Sequence, residues 1–505
     1  MRPTWMYGLG ALLVGALVIV GLNATSLRLF PLAISNGIES IRVSWDEVPE
    51  LRPQSDGKAT VCVCLALQCP ISNGAIPKLN RLCEKHRAAG IQFVGIVPGP
   101  RCDENEIAAH RERFGISFPV LADRDQRLVR ALQATHTPQA VVVSAAGDVL
   151  YSGRIDDQYA DLGRKKLAVR EPDLRNALAA IAAGKPVAVA RTRPIGCLIE
   201  EADAAEAGEV TWANDVAPIL FERCAGCHRP GEAAPFSLLT YEDARAHAEQ
   251  MLVVVERRVM PPWKAEPDFG HFQNERRLTH TEMQTLREWV AQGTPEGNPD
   301  DRPVPPQFAA GWQLGEPDIE LEMPAEFEVP ADGPDIYQHF VIPSQLYEDR
   351  LVSAIEFRPG NPEVVHHAIV YLDTTGEARR LDAADPAPGY SRLGSPGFPV
   401  SGRLGGWAPG GQPRRLPEGV GYLMPARCDV LLQVHYHPIG RKTHDRSRLG
   451  IYLAPATAQQ PALDMLVANV DLKIPAGARR HYHKASYKTP VAITLLDATP
   501  HMHVL

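Results

Sequence analysis

The sequence predicts three folded parts behind an apolar N-terminal segment: an α/β part, a small all-α part and an all-β sandwich. Between residues 59 and 153, short apolar runs alternate with helical patterns, as in βαβ units. Residues 210–298 hold three helical patterns separated by Gly and Pro loops. From residue 310 onward, short strand-like runs are divided by Gly, Pro and Asp turns, the signature of an antiparallel sandwich. A chain of 505 residues also exceeds one core, since domains average roughly 100 to 200 residues. With 45% apolar and 22% charged residues it is globular, and its 45 Pro and 40 Gly favour loops and strands over long helices. A net charge of −8 without a Lys or Arg run excludes nucleic acid as an expected partner.

Taken in order, residues 1–27 carry Arg2 and then an uncharged apolar run. It is long enough for a span of about 20 residues, and reads as an uncleaved signal anchor or a signal peptide. The expectation is a membrane partner at this end and a periplasmic or otherwise extracytoplasmic remainder. The α/β part, 55–185, begins with strand ATVCVCLA (59–66), a helix over 76–89 and strand IQFVGIV (91–97). A helix over 105–115 follows, then FPVLAD, VRALQATHTPQAVVV and VLYSGRID. A solvated linker is expected over 186–209. The all-α part, 210–298, contains WANDVAPILFERC, one helix over 241–259 and a third helix with Thr279 as N-cap, Glu282 three residues on and Gly293 as stop. After a Pro-rich linker (299–309), residues 310–485 form the sandwich, and VAITLLDATP within 486–505 begins a second, incomplete one.

Nine cysteines, unevenly spaced, do not make a disulfide scaffold. Cys69 lies just after the first strand at a helix start, where amide dipoles favour a thiolate. Cys62 and Cys64, within the strand, are expected to be buried. Cys69-Pro70-Ile71-Ser72, with Thr137-Pro138 before a downstream strand, resembles the thioredoxin-like, peroxiredoxin-related redoxin family. The resemblance implies a thioredoxin-like fold with Pro138 as a cis-proline beside Cys69. Ser72 stands where a thioredoxin has its second cysteine, and Ala66 where a peroxiredoxin has Thr or Ser. A single-thiol exchange role or a degenerate redox domain is therefore expected rather than peroxidase chemistry, with Cys197 or Cys102 able to resolve a disulfide with Cys69.

Cys224-Ala225-Gly226-Cys227-His228 is a CxxCH motif, whose two thiols reach the vinyl groups of a haem while the next residue offers imidazole to the iron. A zinc site would need a second cysteine pair nearby. The segment resembles a class I cytochrome c, which implies covalent haem c and a sixth ligand. Met260 in RRVMPPWK fits that ligand, Met251 reads as core, and His271 is a weaker substitute.

The β part holds His366-His367, His435 with His437, and His501 with His503. Imidazole without acidic clusters favours copper or zinc. Residues i and i+2 share a strand face, so His435 with His437 and His501 with His503 can each grip one ion. His366 and His367 need a bulge or a strand end. The order HH, VHYHP, HxH, with GWAPGG between the first two, resembles the copper type II, ascorbate-dependent monooxygenases. That resemblance implies a first copper on His366, His367 and His435, with His437 a neighbour. It implies a second copper begun by His501 and His503, whose methionine would lie beyond Leu505, so a truncated sequence is expected. The expected function is redox: haem c passing electrons to copper for oxygen-using monooxygenase chemistry, with electron donor or acceptor proteins and a small substrate as partners. A non-enzymatic electron and copper carrier, or a thiol exchanger, is the alternative.

Overall fold

Six successive buried residues, Ala59–Cys64, form a strand covered on both faces, which is why it reads as a continuous apolar run. The computed structural model describes residues 42–498 except 55–56, 100–102, 200–209, 264, 266–271, 273–274, 310, 466, 470–472, 476 and 479–480. In chain order the α/β part comprises β1 (Ala59–Cys64), α1 (Pro70–Arg87), β2 (Ile91–Pro98), α2 (Glu104–Phe114), β3 (Val120–Asp123) and α3 (Arg127–Ala131). It continues with β4 (His136–Thr137), β5 (Gln139–Ser144), β6 (Val149–Gly153), β7 (Tyr159–Asp161), β8 (Arg164–Lys165), α4 (Asp173–Ala182) and β9 (Cys197–Leu198). The main sheet runs β3-β2-β1-β5-β6, with β1 parallel to β2 and antiparallel to β5. Helix α1 begins at Pro70, six residues before the expected start. Proline is favoured in the first turn, where its missing N–H removes nothing.

The expected linker over 186–209 is partly structured. After α4 the chain returns across the sheet edge: Arg191 bridges Ser152, and the Thr192 hydroxyl bonds the Tyr151 hydroxyl at 2.8 Å. It then pairs β9 antiparallel with β4. This strap was invisible in the sequence because its turns and polar residues resemble a tether.

The helical part holds a π-helical turn (Trp212–Val216), α5 (Ala217–Arg223), α6 (Tyr241–Arg245), α7 (Ala248–Glu256) and α8 (His280–Ala291) around buried Trp212 and Trp289. The single helix expected over 241–259 is broken at His247. Its backbone leaves the helical region while its Nδ1 bonds the Asp243 carbonyl at 2.9 Å and its ring stacks on Phe236. Thr279 and Glu282 form the expected capping box, and Gly293 follows α8 at φ 75°.

The last part contains β10 (Ile319–Glu322), β11 (Phe327–Val329), β12 (Ile336–Pro343), β13 (Arg350–Arg358), β14 (Val365–Asp373), α9 (Glu377–Ala384) and β15 (Tyr390–Ser391). It ends with β16 (Gly402–Trp407), β17 (Val420–Met424), β18 (Asp429–Tyr436), β19 (Thr443–Asp445), β20 (Arg448–Leu453) and β21 (Gln460–Ala462). Two five-stranded sheets, β10-β20-β13-β17-β21 and β15-β12-β18-β14-β16, share one core. The strand expected within 491–500 does not form over 491–498. Val491, Ile493 and Leu495 are more than half exposed there, and no strand among the described residues covers one face.

The three parts lie within one compact unit, 41–505, and touch at specific places. Among the described residues no helix is long and apolar enough to cross a membrane, and the expected anchor, 1–27, lies outside them.

Candidate functional site

Cys69 is the N-cap of α1, so its sulfur faces the first free amides of that helix. Its Sγ lies 2.8 Å from Cys197 Sγ and 3.2 Å from the Thr137 carbonyl oxygen, beside the cis Thr137–Pro138 bond. Burial pushes the Cys69 thiol up. Hydrogen bonds from the Cys197 side chain and from the amides of Ser72, Cys197 and Ile71 overcome this and hold it at about 7. Cys62 and Cys64 are fully buried in β1, and that burial pushes the Cys62 thiol up to about 12 and the Cys64 thiol further still, which disfavours the reactive thiolate at both. Cys69 is 2% exposed, whereas Cys197 is only partly covered. Cys102 lies outside the described residues.

The strap reaches Cys69 because residue 196 is glycine. A Cβ there would collide with the Thr137 carbonyl oxygen and crowd the Pro138 nitrogen. Gly196→Val is expected to lift β9 from β4 and sharply reduce the yield of the Cys69–Cys197 disulfide on mild oxidation, read by peptide mass mapping.

In the β part the histidines converge from adjacent strands. His367 pairs with His435, and the register shifts between Val365 and His367, so His366 is the extra residue of a bulge. That bulge turns two adjacent histidines to one point. The Nδ1 atoms of His366, His367 and His435 stand 3.1, 3.1 and 3.3 Å from one another. His437 packs against His366, with ring centroids 4.4 Å apart, and the ligand atoms of His366, His435 and His437 also fall within 4.8 Å. Tyr337, opposite His435 in the ladder, stacks on it at 4.1 Å. His366 has one exposed edge, but desolvation of its ring within the cluster, and then the neighbouring imidazoles, push it down to about 3. His501 and His503 lie outside the described residues.

The sequence reading missed Asp335, just before β12. Its Oδ2 accepts from His435 Nε2 at 3.2 Å, and its Oδ1 lies 2.7 Å from His437 Nδ1 and 2.9 Å from Lys165 Nζ on β8. Burial opposes ionisation of Asp335, but these three cationic or donor neighbours hold its carboxyl far below the usual range. Tyr159, the direct ladder partner of Lys165 in the same hairpin, is raised to about 12 by burial and by its nearness to Cys69 and Asp335. The β7–β8 hairpin therefore lies between the thiol pair and the imidazole cluster. No single-sequence signal marks these residues, because each gains its partner only through pairing across parts.

Cys224, Cys227 and His228 follow α5 in a tight turn in which the Cys227 and His228 amides both bond the Cys224 carbonyl. His228 Nδ1 donates to the Phe236 carbonyl at 3.2 Å, which leaves the Nε2 lone pair as the one that could hold a metal. Burial lowers His228 to about 4, so the ring is neutral at physiological pH. Cys224 is partly buried, and the desolvation of its sulfur pushes the thiol up to about 12. Met251 is core, as expected, and Met260 is 40% exposed in the loop after α7; His271 lies outside the described residues. The GWAPGG loop rests on this turn, with Gly410 against Cys227 and its carbonyl accepting from Arg276. The same loop begins at Trp407, which pairs with Ala368 beside His367.

Residues 47–152 match the AhpC/TSA family model. No curated protein matches the chain. Among solved structures, a conserved protein from Geobacillus kaustophilus is 26% identical, covering 31% of this chain and 83% of that one at a TM-score of 0.28. A protein from Sinorhizobium meliloti 1021 is also 26% identical, covering 30% and 82% at 0.27. A secreted Mycobacterium tuberculosis disulfide oxidoreductase homologous to E. coli DsbE is 21% identical, covering 26% and 85% at 0.20. The sheet order and the family match agree: the first part of this chain is a thioredoxin-like domain of the AhpC/TSA kind.

Proposed function

We propose that the chain is an extracytoplasmic redox protein whose thioredoxin-like domain performs thiol–disulfide exchange through Cys69 and Cys197. The observation that carries this is the 2.8 Å contact between the two sulfurs, one of them a thiol held near 7. When the pair is oxidised, an external thiolate attacks Cys197 Sγ, the more accessible sulfur. The Cys69–Cys197 bond breaks and its electron pair leaves on Cys69, where the amides of Ile71 and Ser72 receive the charge. Leaving groups of low pKa depart faster, which assigns this step to Cys69. A second external thiolate then attacks the external sulfur of the mixed disulfide, releasing Cys197 as a thiol after protonation. The net change is one disulfide and two thiols exchanged for two thiols and one disulfide. Mild oxidation with a small disulfide is expected to give an intramolecular Cys69–Cys197 bridge on peptide mapping; a bridge at any other cysteine, or none, would overturn the assignment.

A second reading rests on the imidazole triad. Nitrogens bound about 2.0–2.1 Å from one ion at tetrahedral angles stand about 3.3–3.4 Å apart, close to the 3.1–3.3 Å observed. Three imidazole nitrogens at such spacing cannot all satisfy one another by N–H donation, so the donor set fits a copper ion held by His366, His367 and His435. The turn of Cys224, Cys227 and His228 fits covalent haem c, with Met260 as the proposed sixth ligand. When bound, haem and copper would supply one-electron transfer. The chain's own contribution is to hold His228 in one tautomer through Phe236 and to lay the GWAPGG loop between the CxxCH turn and the strand bearing His367. Oxygen-using monooxygenase chemistry on a small substrate, a second copper begun by His501 and His503, exchange with electron-carrier proteins and an N-terminal membrane anchor complete this proposal.

A further inference from the structure

We infer that Asp335 is a positioning residue of the imidazole site, fixing the tautomer of His435, and that the thioredoxin-like domain holds Asp335 in place through Lys165. The inference rests on reading His366, His367 and His435 as a metal site.

A neutral imidazole has one N–H and one lone pair, and the partner of one nitrogen decides which nitrogen can bind a metal. His435 directs Nε2 to Asp335 Oδ2 at 3.2 Å and Nδ1 to the Nδ1 atoms of His366 and His367 at 3.1 and 3.3 Å. A carboxylate on Nε2 places the proton there and leaves the Nδ1 lone pair aimed at the point where the other two imidazoles converge. Stacking of Tyr337 on the His435 ring fixes its plane, so the two contacts together define its orientation.

Asp335 does not belong to a strand; it precedes β12, whose first residue, Ile336, pairs with Tyr436. Its carboxylate is instead steadied through Oδ1, by His437 Nδ1 at 2.7 Å and by Lys165 Nζ at 2.9 Å, and both side chains of the Lys165–Asp335 ion pair are more than four-fifths buried. A partly buried ion pair of this kind constrains geometry far more than an exposed one. The nearby Arg81–Asp332 pair also joins the two parts, at 2.7 Å, but it is well exposed and touches no histidine. It serves as an internal control. The imidazole site is thus completed by a residue of the thioredoxin-like domain, and detaching the β7–β8 hairpin would loosen it.

The test uses the full chain, stripped of metal and titrated with Cu(II) against a competing chelator, alongside nitrogen NMR of labelled histidine in the metal-free protein. In the wild type, His435 is expected to be a single Nε2–H tautomer. Asp335→Ala is expected to mix the tautomers, weaken Cu(II) binding by about 10- to 100-fold and change the copper EPR parameters. Lys165→Met is expected to shift the same readouts in the same direction by a smaller factor, whereas Asp332→Ala leaves them at wild-type values. Unchanged tautomer and affinity in both Asp335→Ala and Lys165→Met overturn the inference. If the wild type binds no copper, the metal reading falls, and the tautomer measurement still decides the role of Asp335.

Discussion

Cys69→Ser is expected to trap a mixed disulfide on Cys197 when the protein is treated with oxidised glutathione, and to abolish catalytic exchange. Without the second sulfur no intramolecular bridge can form, so turnover should fall by at least about 100-fold, as expected when a member of a concerted unit is removed. Cys197→Ala should abolish turnover equally but by a different route. It removes the first of the hydrogen bonds that offset burial of Cys69, so the thiolate titration, followed by ultraviolet absorbance, should move upward from about 7. A wild-type thiol near that value is about half ionised at neutral pH, whereas an ordinary cysteine at about 8.5 is ionised by only a few per cent. The sign for stability follows from the same shift. Because the folded value lies below the unfolded one, the thiolate contacts stabilise the reduced protein fully above the ordinary thiol range. That contribution fades as pH falls through about 7. The unfolding midpoint of the reduced wild type should therefore rise, relative to Cys69→Ser, between about pH 6 and about pH 9. An equal difference at both pH values would refute the low folded value.

The contrast between legible and hidden features has a physical basis. Cys69 was readable because a thiol at a strand-to-helix boundary has a local cause, the free amides of the helix start. The CxxCH turn is equally local. Strands such as Ile336–Pro343 were readable because burial imposes a pattern within a few residues. The strap is different: Cys197 could be named only as one of two candidate partners, because what selects it is Gly196 passing against Thr137, 59 positions earlier in the chain, and no local pattern announces that approach. For His366 and His367 to face one ion the sequence required a bulge or a strand end, since adjacent residues of a regular strand point to opposite faces, and the register shift at His366 is such a bulge. Asp335 and Lys165 lie 170 residues apart, and only tertiary docking makes them partners. Residues 491–498 failed in the opposite direction, since an alternating pattern states which face is apolar but provides no sheet to cover it.

His435→Ala is expected to lose stoichiometric copper. Wild-type protein should take up Cu(II) with an EPR spectrum showing several nitrogen donors. The variant retains His366 and His367 but loses the imidazole that pairs with His367 across the ladder and contacts both remaining Nδ1 atoms. Losing one of three ligands removes the chelate geometry as well as one bond, so its affinity should fall further than the roughly 10- to 100-fold expected for a residue acting on a ligand from outside. His437→Ala separates the two ways of grouping these side chains. If the ion sits among the three Nδ1 atoms, the variant should keep most of its affinity, because His437 contributes a ring packed at 4.4 Å against His366 rather than a member of that triangle. If the ion instead sits among His366, His435 and His437, His437→Ala should match His435→Ala while His367→Ala stays near wild type. The bulge favours the first outcome: it brings His367 Nδ1 to 3.1 and 3.3 Å from its two neighbours, spacings a single ion of ordinary radius can span.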